Sequence, residues 1–375
     1  MSTRDGAQQA VQAVDDTAFS FVCVGVSGGP FETDCSSYVM KLADKKWSEG
    51  ITLLEAGSWL GALKNLLCEP NHAFFDAEFP EATAEVKVEL INSWVNQTFI
   101  SHGHLDHIFG LVLASAVQRI QKPVYGLQDT LETITEIFNG RLWPKLASFN
   151  ARDPFAFYHL RPHGSAILSK EVAKFSSLSC DRNQHQDNSP PSQNVSTITS
   201  TAFLFTHRQK DQDVLFMGDV EPDTVSHRSL NQHVWQAVAS RVAQNKLRAV
   251  FIECSFASTQ PNHLLFGHLT PRHLFAELRT LAECVCQETG ERSVKNKLRG
   301  VRCVVIHVKG MMPPEVAKPC RVPCSDEEGS QKLQPVVFPV DTRSAILQDL
   351  QAFEAEEQLG VEFIMAKQGL RIGML

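Results

Sequence analysis

The chain contains 375 residues, of which 43% are hydrophobic and 21% are charged, and its formal net charge is −7. This composition is typical of a globular protein with a large core, and the negative charge argues against general binding of nucleic acid or anionic membranes. The first 16 residues lack an apolar signal-peptide segment, no apolar run could cross a membrane, and the ten cysteines are scattered, as expected for reduced thiols. We therefore expect a cytoplasmic protein with neither membrane nor nucleic-acid partners.

Short apolar runs alternate with helical patterns along the first half of the chain. Runs of β-branched and aromatic residues that end in turns predict strands, and apolar residues spaced three or four apart predict helices. In chain order these are strands at 19–26, 37–42 and 51–54, helices from about 59 and at 82–95, a strand at 98–100, a helix at 110–120, a strand at 122–126 and a helix at 129–138.

The second half continues the same alternation. Its predicted strands cover 172–178, 197–206, 213–217, 248–252, 301–306, 361–365 and 370–374, and its predicted helices cover 231–244, a segment from 271 and a segment around 346–353. Thr270 and Pro271 are the cap and first residue expected of the helix from 271. No linker separates two cores, so we predict a single α/β domain over residues 1–375, with surface-loop insertions at 181–196 and 310–335.

A dense group of possible metal ligands follows the predicted strand at 98–100. His102, His104, Asp106 and His107 fall within six residues. Alternate residues of an extended chain share a face, so His102 and His104 can point at one metal, and the next two can point at a second metal from the following turn. Imidazole with carboxylate suits Zn and, less selectively, Mn or Fe. The spacing indicates a binuclear metal hydrolase rather than a polar loop that is rich in histidine.

Three further polar residues follow predicted strands later in the chain. Asp219, Glu253 and His307 each sit directly after an apolar strand or one glycine beyond it. In layered α/β folds the strand ends of a sheet gather at one edge, where ligands bind. We therefore expect these side chains to converge with the histidine-rich loop.

These segments resemble a known family. The run His102-Gly-His-Leu-Asp-His107 resembles the metallo-β-lactamase superfamily signature, and its longer form over residues 102–116 resembles the class II cyclic-nucleotide phosphodiesterases. Further segments resemble blocks of that family in the same order, namely 27–30, 138–143, 218–223, 251–256 and 266–271. The resemblance implies a four-layer αββα sandwich with two mixed sheets.

The resemblance also implies ligand roles. Asp219 is expected to bridge two divalent metal ions, for which Zn is favoured, and His307 is expected to be the last ligand of the second metal. The implied first set is His102, His104 and Asp219, and the implied second set is Asp106, His107, Asp219 and His307.

One position departs from the family pattern. The family has a further histidine, a ligand of the first metal, after the strand that ends near residue 179, but this chain has Cys180 there and His185 five residues later. The Cys180 thiolate could replace the imidazole, His185 could reach in, or the position could be vacant. Thiolate is a good Zn ligand, so Cys180 is the preferred candidate.

The implied activity is metal-dependent hydrolysis of 3′,5′-cyclic nucleotides to nucleoside 5′-monophosphates, which ends cyclic-nucleotide signalling. The candidate catalytic residues are Asp106, His268 and Glu253. Resemblance to RNA-processing relatives implies that His268, oriented by Glu253, protonates the leaving oxygen. The alternatives are a tRNA 3′-processing nuclease, which the net charge opposes, a thioester hydrolase, and a non-catalytic scaffold. No sequence motif ranks cAMP against cGMP or indicates the oligomeric state.

Overall fold

The computed structural model of the protein describes residues 17–309 and 341–374, apart from 69–73, 75, 78, 163–166, 170–172 and 184–196. For residues 167–169, 173–183 and 197 it describes the backbone alone. The described strands are β1 (Phe19–Gly25), β2 (Ser37–Leu42), β3 (Ile51–Ala56), β4 (Val95–Phe99), β5 (Lys122–Gly126), β6 (Ala147–Ser148), β7 (Tyr158–Pro162), β8 (Ile167–Ser169), β9 (Ala173–Asn183), β10 (Thr197–His207), β11 (Gln212–Met217), β12 (Leu247–Glu253), β13 (Arg302–Ile306), β14 (Glu362–Met365) and β15 (Arg371–Met374).

The described α-helices are α1 (Leu60–Cys68), α2 (Ala84–Trp94), α3 (Leu105–Ala114), α4 (Gln128–Ile137), α5 (Asp223–Ser226), α6 (Leu230–Ala243), α7 (Pro271–Thr289) and α8 (Thr342–Glu357). Short 3₁₀ helices lie at Trp47–Glu49, Ser115–Val117 and Asn262–Leu264. Across the described ranges, no helix combines the length and the apolar character that a membrane span needs.

The strands form two mixed sheets. The first sheet has eight strands in the order β15-β1-β2-β3-β4-β5-β7-β6, and the second has seven in the order β14-β13-β12-β11-β10-β9-β8. The β1–β2 and β10–β11 pairs are antiparallel, whereas β3–β4 and β11–β12 are parallel. Both sheets therefore contain the parallel strands whose carboxyl ends can carry a site.

Alternating residues of the strands bury both faces of each sheet. In β1, Phe21 and Cys23 face the core between the sheets, while Val22 and Val24 face the outer helices. The inner core is aromatic, with the rings of Phe21 and Phe251 centred 4.6 Å apart across the two sheets. Strands that are buried on both faces need nearly continuous apolar sequence, which explains the apolar runs from which the strands were predicted.

The outer layers are helical. Apolar residues of α1, α2, α3 and α4 pack on the first sheet, and those of α6, α7 and α8 pack on the second. The order helix, sheet, sheet, helix confirms the expected four-layer αββα sandwich. The organisation as one domain over the whole chain stays a prediction.

Two boundaries differ from those predicted in ways that affect the site. Helix α3 begins at Leu105 rather than near residue 110, so Asp106 and His107 lie in its first turn and not in a turn before it. Strand β9 continues to Asn183, which pairs with Thr197 of β10, so residues 181–183 are not part of a loop insertion. The backbone N–H and C=O groups of this polar segment pair with β10, and the composition of the segment does not predict that pairing. Residues 184–196 and 310–335 lie outside the described residues.

Candidate metal centre

The candidate site lies where the carboxyl ends of strands from both sheets meet. β4 of the first sheet leads into the loop that carries His102 and His104, and α3 follows it directly. β11, β12 and β13 of the second sheet end next to Asp219, at Glu253 and next to His307. The amide N–H of Thr201 donates to the carbonyl oxygen of Ser101 at 3.0 Å and links the two sheets at this edge.

Four side chains form what we call the second donor set, which consists of Asp106, His107, Asp219 and His307. The Nε2 atoms of His107 and His307 are 3.2 Å apart, and each lies 3.2 Å from Asp219 Oδ1. Asp106 Oδ2 lies 3.2 Å from His307 Nε2 and 3.9 Å from His107 Nε2. Ligand-type atoms from the first turn of α3 and from residues that follow β11 and β13 therefore lie close together.

The spacing and the chemistry of these atoms fit a divalent cation. A tetrahedron of nitrogen and oxygen ligands with bonds of about 2.0 Å has edges of about 3.3 Å, close to most of the separations in the set. Two imidazole Nε2 atoms in contact cannot both carry a proton without repulsion. Asp219 and both histidines are almost fully buried, and buried charges are normally paired or bound to metal.

The first donor set consists of His102, His104 and Asp219. His102 Nε2 lies 3.0 Å from His104 Nδ1 and 3.4 Å from Asp219 Oδ2. Asp219 therefore directs Oδ2 toward the first set and Oδ1 toward the second, so this one carboxylate could serve a cation in each set. Cys180 lies on β9 opposite Ser200, and its side chain is outside the described part of the structure. His185 also lies outside the described residues.

Buried polar side chains lie beside the outer nitrogens of three candidate ligand rings. Ser101 Oγ is hydrogen-bonded to His102 Nδ1 at 2.9 Å, and Ser255 Oγ is hydrogen-bonded to His307 Nδ1 at 3.0 Å. Glu55 Oε2 lies 3.4 Å from His107 Nδ1, and neither of these two buried atoms makes a hydrogen bond in the described structure. Hydrogen bonds such as those of the two serines fix the tautomer of a ring so that its Nε2 can face a metal. None of the three partners was predicted from the sequence. Their only common signal is a polar residue at, or within two residues of, the end of an apolar strand.

His268 and Glu253, predicted as a pair, are in contact. His268 Nδ1 lies 2.8 Å from Glu253 Oε1 and 3.9 Å from Asp219 Oδ2. The same Oε1 accepts the backbone N–H of Val220 at 2.8 Å, so Glu253 also fixes the turn that carries Asp219. The His268 ring stacks on that of His307 with centroids 5.1 Å apart. The pair thus lies directly beside the second donor set.

Comparison with known proteins identifies the family of this chain. The chain matches the family described as class II cAMP phosphodiesterases over residues 24–369. It is 33% identical over 325 residues to a 3′,5′-cyclic-nucleotide phosphodiesterase of Schizosaccharomyces pombe. The matched region covers 82% of this chain and 86% of that relative. The chain belongs to the class II cyclic-nucleotide phosphodiesterase family. The predicted family and enzyme class are therefore confirmed.

Two further comparisons agree with this membership. A 3′,5′-cyclic-nucleotide phosphodiesterase of Aliivibrio fischeri is 28% identical over 297 residues, covering 78% of this chain and 82% of that one. The structure of unliganded yeast PDE1 matches with a TM-score of 0.76 at 20% identity, covering 96% of this chain and 100% of that one. The structural match shows a shared fold across nearly the whole length.

The charges of this phosphodiesterase centre are strongly coupled. Burial by itself lowers the pKa of His107, but the carboxylates of Asp219 and Asp106 outweigh it and hold the pKa well above its usual value. Burial raises the pKa of Asp106, but His107 and His307 overcome it and hold the pKa well below its usual range. Several carboxylates are thus gathered in a buried place, and divalent cations would offset their charge.

A glycine turn of the phosphodiesterase packs against the centre. A Cβ atom added to Gly28 would lie 2.4 Å from Cε1 of the His307 ring, so no side chain fits there. Lys309 Nζ donates to the carbonyl oxygen of Gly28 at 2.9 Å and holds the turn in place. The turn of residues 27–30 therefore packs directly against the candidate ligand His307.

Proposed function

We propose that this protein hydrolyses 3′,5′-cyclic nucleotides, with cAMP as the first substrate to test and cGMP as the second, to nucleoside 5′-monophosphates. The observation that carries the proposal is the pair of donor sets joined by Asp219 in a chain of this family. The relatives named above are described as 3′,5′-cyclic-nucleotide phosphodiesterases, which supports this substrate class. Such an enzyme would end cyclic-nucleotide signalling in the cytoplasm, where we propose that it acts.

The first donor set would hold one divalent metal and the second donor set would hold another. Donor sets rich in imidazole favour Zn, and the Cys180 thiolate is our candidate for completing the first set. When bound, such metals lower the pKa of coordinated water to about 7 and offset charge on phosphoryl oxygens.

The reaction consumes one water. The water gives up a proton to solvent as its oxygen bonds to phosphorus, the bond from phosphorus to the ribose 3′ oxygen breaks in line with the attack, and that oxygen must take up a proton. We assign the donation to His268. Its Nδ1 is held by Glu253 Oε1 at 2.8 Å, so Nε2 is the ring atom that carries the proton to the substrate. The adjacent carboxylate stabilises the charged imidazolium before the transfer.

The proposal is tested by analysing metals and products of the purified protein. We expect about two divalent ions per chain, conversion of cAMP to 5′-AMP, loss of turnover after chelation, and recovery when Zn is returned. A protein that is free of metal and inert toward cAMP and cGMP, even after Zn or Mn is supplied, would contradict the proposal. Cleavage of precursor tRNA in place of cyclic nucleotides would instead support the nuclease alternative.

A further inference from the structure

Ser255 occupies a position between the second donor set and the proton-donating pair. It follows the end of β12 by two residues and is fully buried. Its Oγ lies 3.0 Å from His307 Nδ1 and 2.5 Å from Glu253 Oε2. One hydroxyl therefore touches both a candidate metal ligand and the residue that orients His268.

The number of protons available determines the direction of these hydrogen bonds. A serine hydroxyl has one proton to donate and two lone pairs that accept, whereas an ionised carboxylate only accepts. The single Ser255 proton faces two groups that only accept, Glu253 Oε2 and the His307 carbonyl oxygen, so it is not available to His307 Nδ1. His307 must therefore donate Nδ1–H to Ser255 Oγ. That tautomer leaves the Nε2 lone pair of His307 facing the second donor set, as a metal ligand requires.

Backbone pairing keeps Ser255 in register with His307. The Cys254 N–H donates to the Ile306 carbonyl at 3.1 Å, and the Lys309 N–H donates to the Ser255 carbonyl at 3.0 Å, so pairing continues beyond both strands. The His307 backbone has a φ of 57°, a left-handed conformation that is uncommon for a residue with a side chain. Ser255 Oγ also lies 2.9 Å from the His307 carbonyl oxygen, so the serine contacts both the ring and the backbone of this turn.

We propose that Ser255 is a positioning residue that couples metal binding to proton donation. It fixes the tautomer and direction of His307, and it holds Glu253 Oε2 so that Oε1 stays on His268. The assignment rests on the proposed function, because it concerns how the same centre holds metal and turns over substrate.

Two other serines supply matched comparisons. Ser101 Oγ makes the equivalent contact with His102 Nδ1, at 2.9 Å, and so touches the first donor set. Ser258 lies three residues after Ser255 in the same loop, and its Oγ makes no hydrogen bond in the described structure. Ser258→Ala therefore removes a hydroxyl from the same segment without touching the centre.

The experiment compares the full-length wild type with Ser255→Ala, Ser255→Thr, Ser101→Ala and Ser258→Ala. Zn affinity is measured by competition with a chromophoric chelator, and kcat and KM for cAMP are measured at saturating Zn. We expect Ser255→Ala to weaken Zn binding by about 10-fold to 100-fold. At saturating Zn this variant should still lower kcat about 10-fold with little change in KM, because Ser255 no longer holds Glu253, the partner of His268, in place.

The remaining variants separate the two roles. Ser101→Ala should weaken Zn binding but recover kcat when Zn saturates, Ser258→Ala should match the wild type, and Ser255→Thr, which keeps the hydroxyl, should restore most of both losses. The proposal would be overturned if Ser255→Ala had the same Zn affinity and kcat as Ser258→Ala. It would also be overturned if Ser255→Ala and Ser255→Thr lost equal amounts of Zn affinity and kcat. If the wild type binds Zn but is inert toward cyclic nucleotides, the proposed function fails. The measurements of Zn affinity would still test whether Ser255 positions His307.

Discussion

The two donor sets share Asp219 but are assembled in different ways. In the first set, His102 and His104 come from one loop and contact each other at 3.0 Å. In the second set, His107 and His307 are 200 residues apart in the chain and meet at 3.2 Å because the first turn of α3, which follows β4 of the first sheet, and the end of β13 of the second sheet lie at the same edge of the sandwich. The first set is thus mainly a local feature of the sequence, while the second depends on the whole fold. Partial unfolding should therefore weaken metal binding by the second set before it weakens metal binding by the first.

The shared carboxylate should give the largest effect. Asp219→Asn removes the charge that both sets use, so we expect loss of at least one of the two metals and a fall in kcat of about 10³-fold. Metal analysis and turnover of cAMP measure the two effects. A variant that retains both metals and near-normal turnover would show that the two sets are independent.

A proton donor outside both sets should give the next largest effect. If His268 donates the proton and is not a ligand in either set, His268→Ala should lower kcat by about 10²-fold while metal content is unchanged. His263→Ala, an exposed histidine in the preceding 3₁₀ helix, is the control and should behave as wild type. Loss of metal from His268→Ala would place the residue among the ligands instead.

The open position of the first set can be tested through its cysteine. If the Cys180 thiolate completes that set, Cys180→Ala should weaken binding of one metal by roughly 10-fold to 100-fold and leave the other metal in place. Cys68→Ala, at an exposed thiol at the end of α1, is the matched control. An unchanged Cys180→Ala protein together with a weakened His185→Ala protein would assign the position to the histidine.

The smallest effect is a dependence of stability on pH. In the metal-free protein the raised pKa of His107 stabilises the fold fully below its unfolded value near 6.5, and this contribution is lost as pH rises through the folded pKa. The lowered pKa of His307 destabilises the metal-free fold below about pH 6.5, and this destabilisation is relieved as pH rises toward that value. We therefore expect the Tm of chelated protein to fall from pH 7 upward.

Metal should reverse that trend, because its binding requires neutral His107 and becomes stronger as protons leave. Calorimetric scans of chelated and Zn-loaded protein from pH 6.5 to 8.5 measure the difference. Parallel curves for the two forms would contradict the placement of His107 in the second set.

The sequence predicted most of the fold, because strands buried on both faces are nearly continuous apolar runs. It placed the start of α3 too late for a specific reason. The N-cap residue is His104, whose side chain makes no capping hydrogen bond and instead faces His102. A helix that begins at a ligand lacks the Ser, Thr, Asp or Asn that normally marks its start.

Within the site, the convergence of the candidate ligands was predictable and the residues that support them were not. His102, His104, Asp106 and His107 fall within six residues, and strand ends that share an edge place Asp219 and His307 near them. The roles of Glu55, Ser101 and Ser255 depend instead on the direction of one oxygen, which packing of distant elements decides. A serine or glutamate after a strand is common in ordinary turns, so no local signal separated these three from the rest.

The most direct test of the account is hydrolysis of cAMP in water enriched in ¹⁸O by the Zn-loaded protein, with a chelated sample beside it. We predict 5′-AMP with one labelled oxygen on its phosphate and no product in the chelated sample. Production of 3′-AMP, or equal turnover in both samples, would contradict a centre in which two metal sites and His268 together open the 3′ side of the phosphate ring.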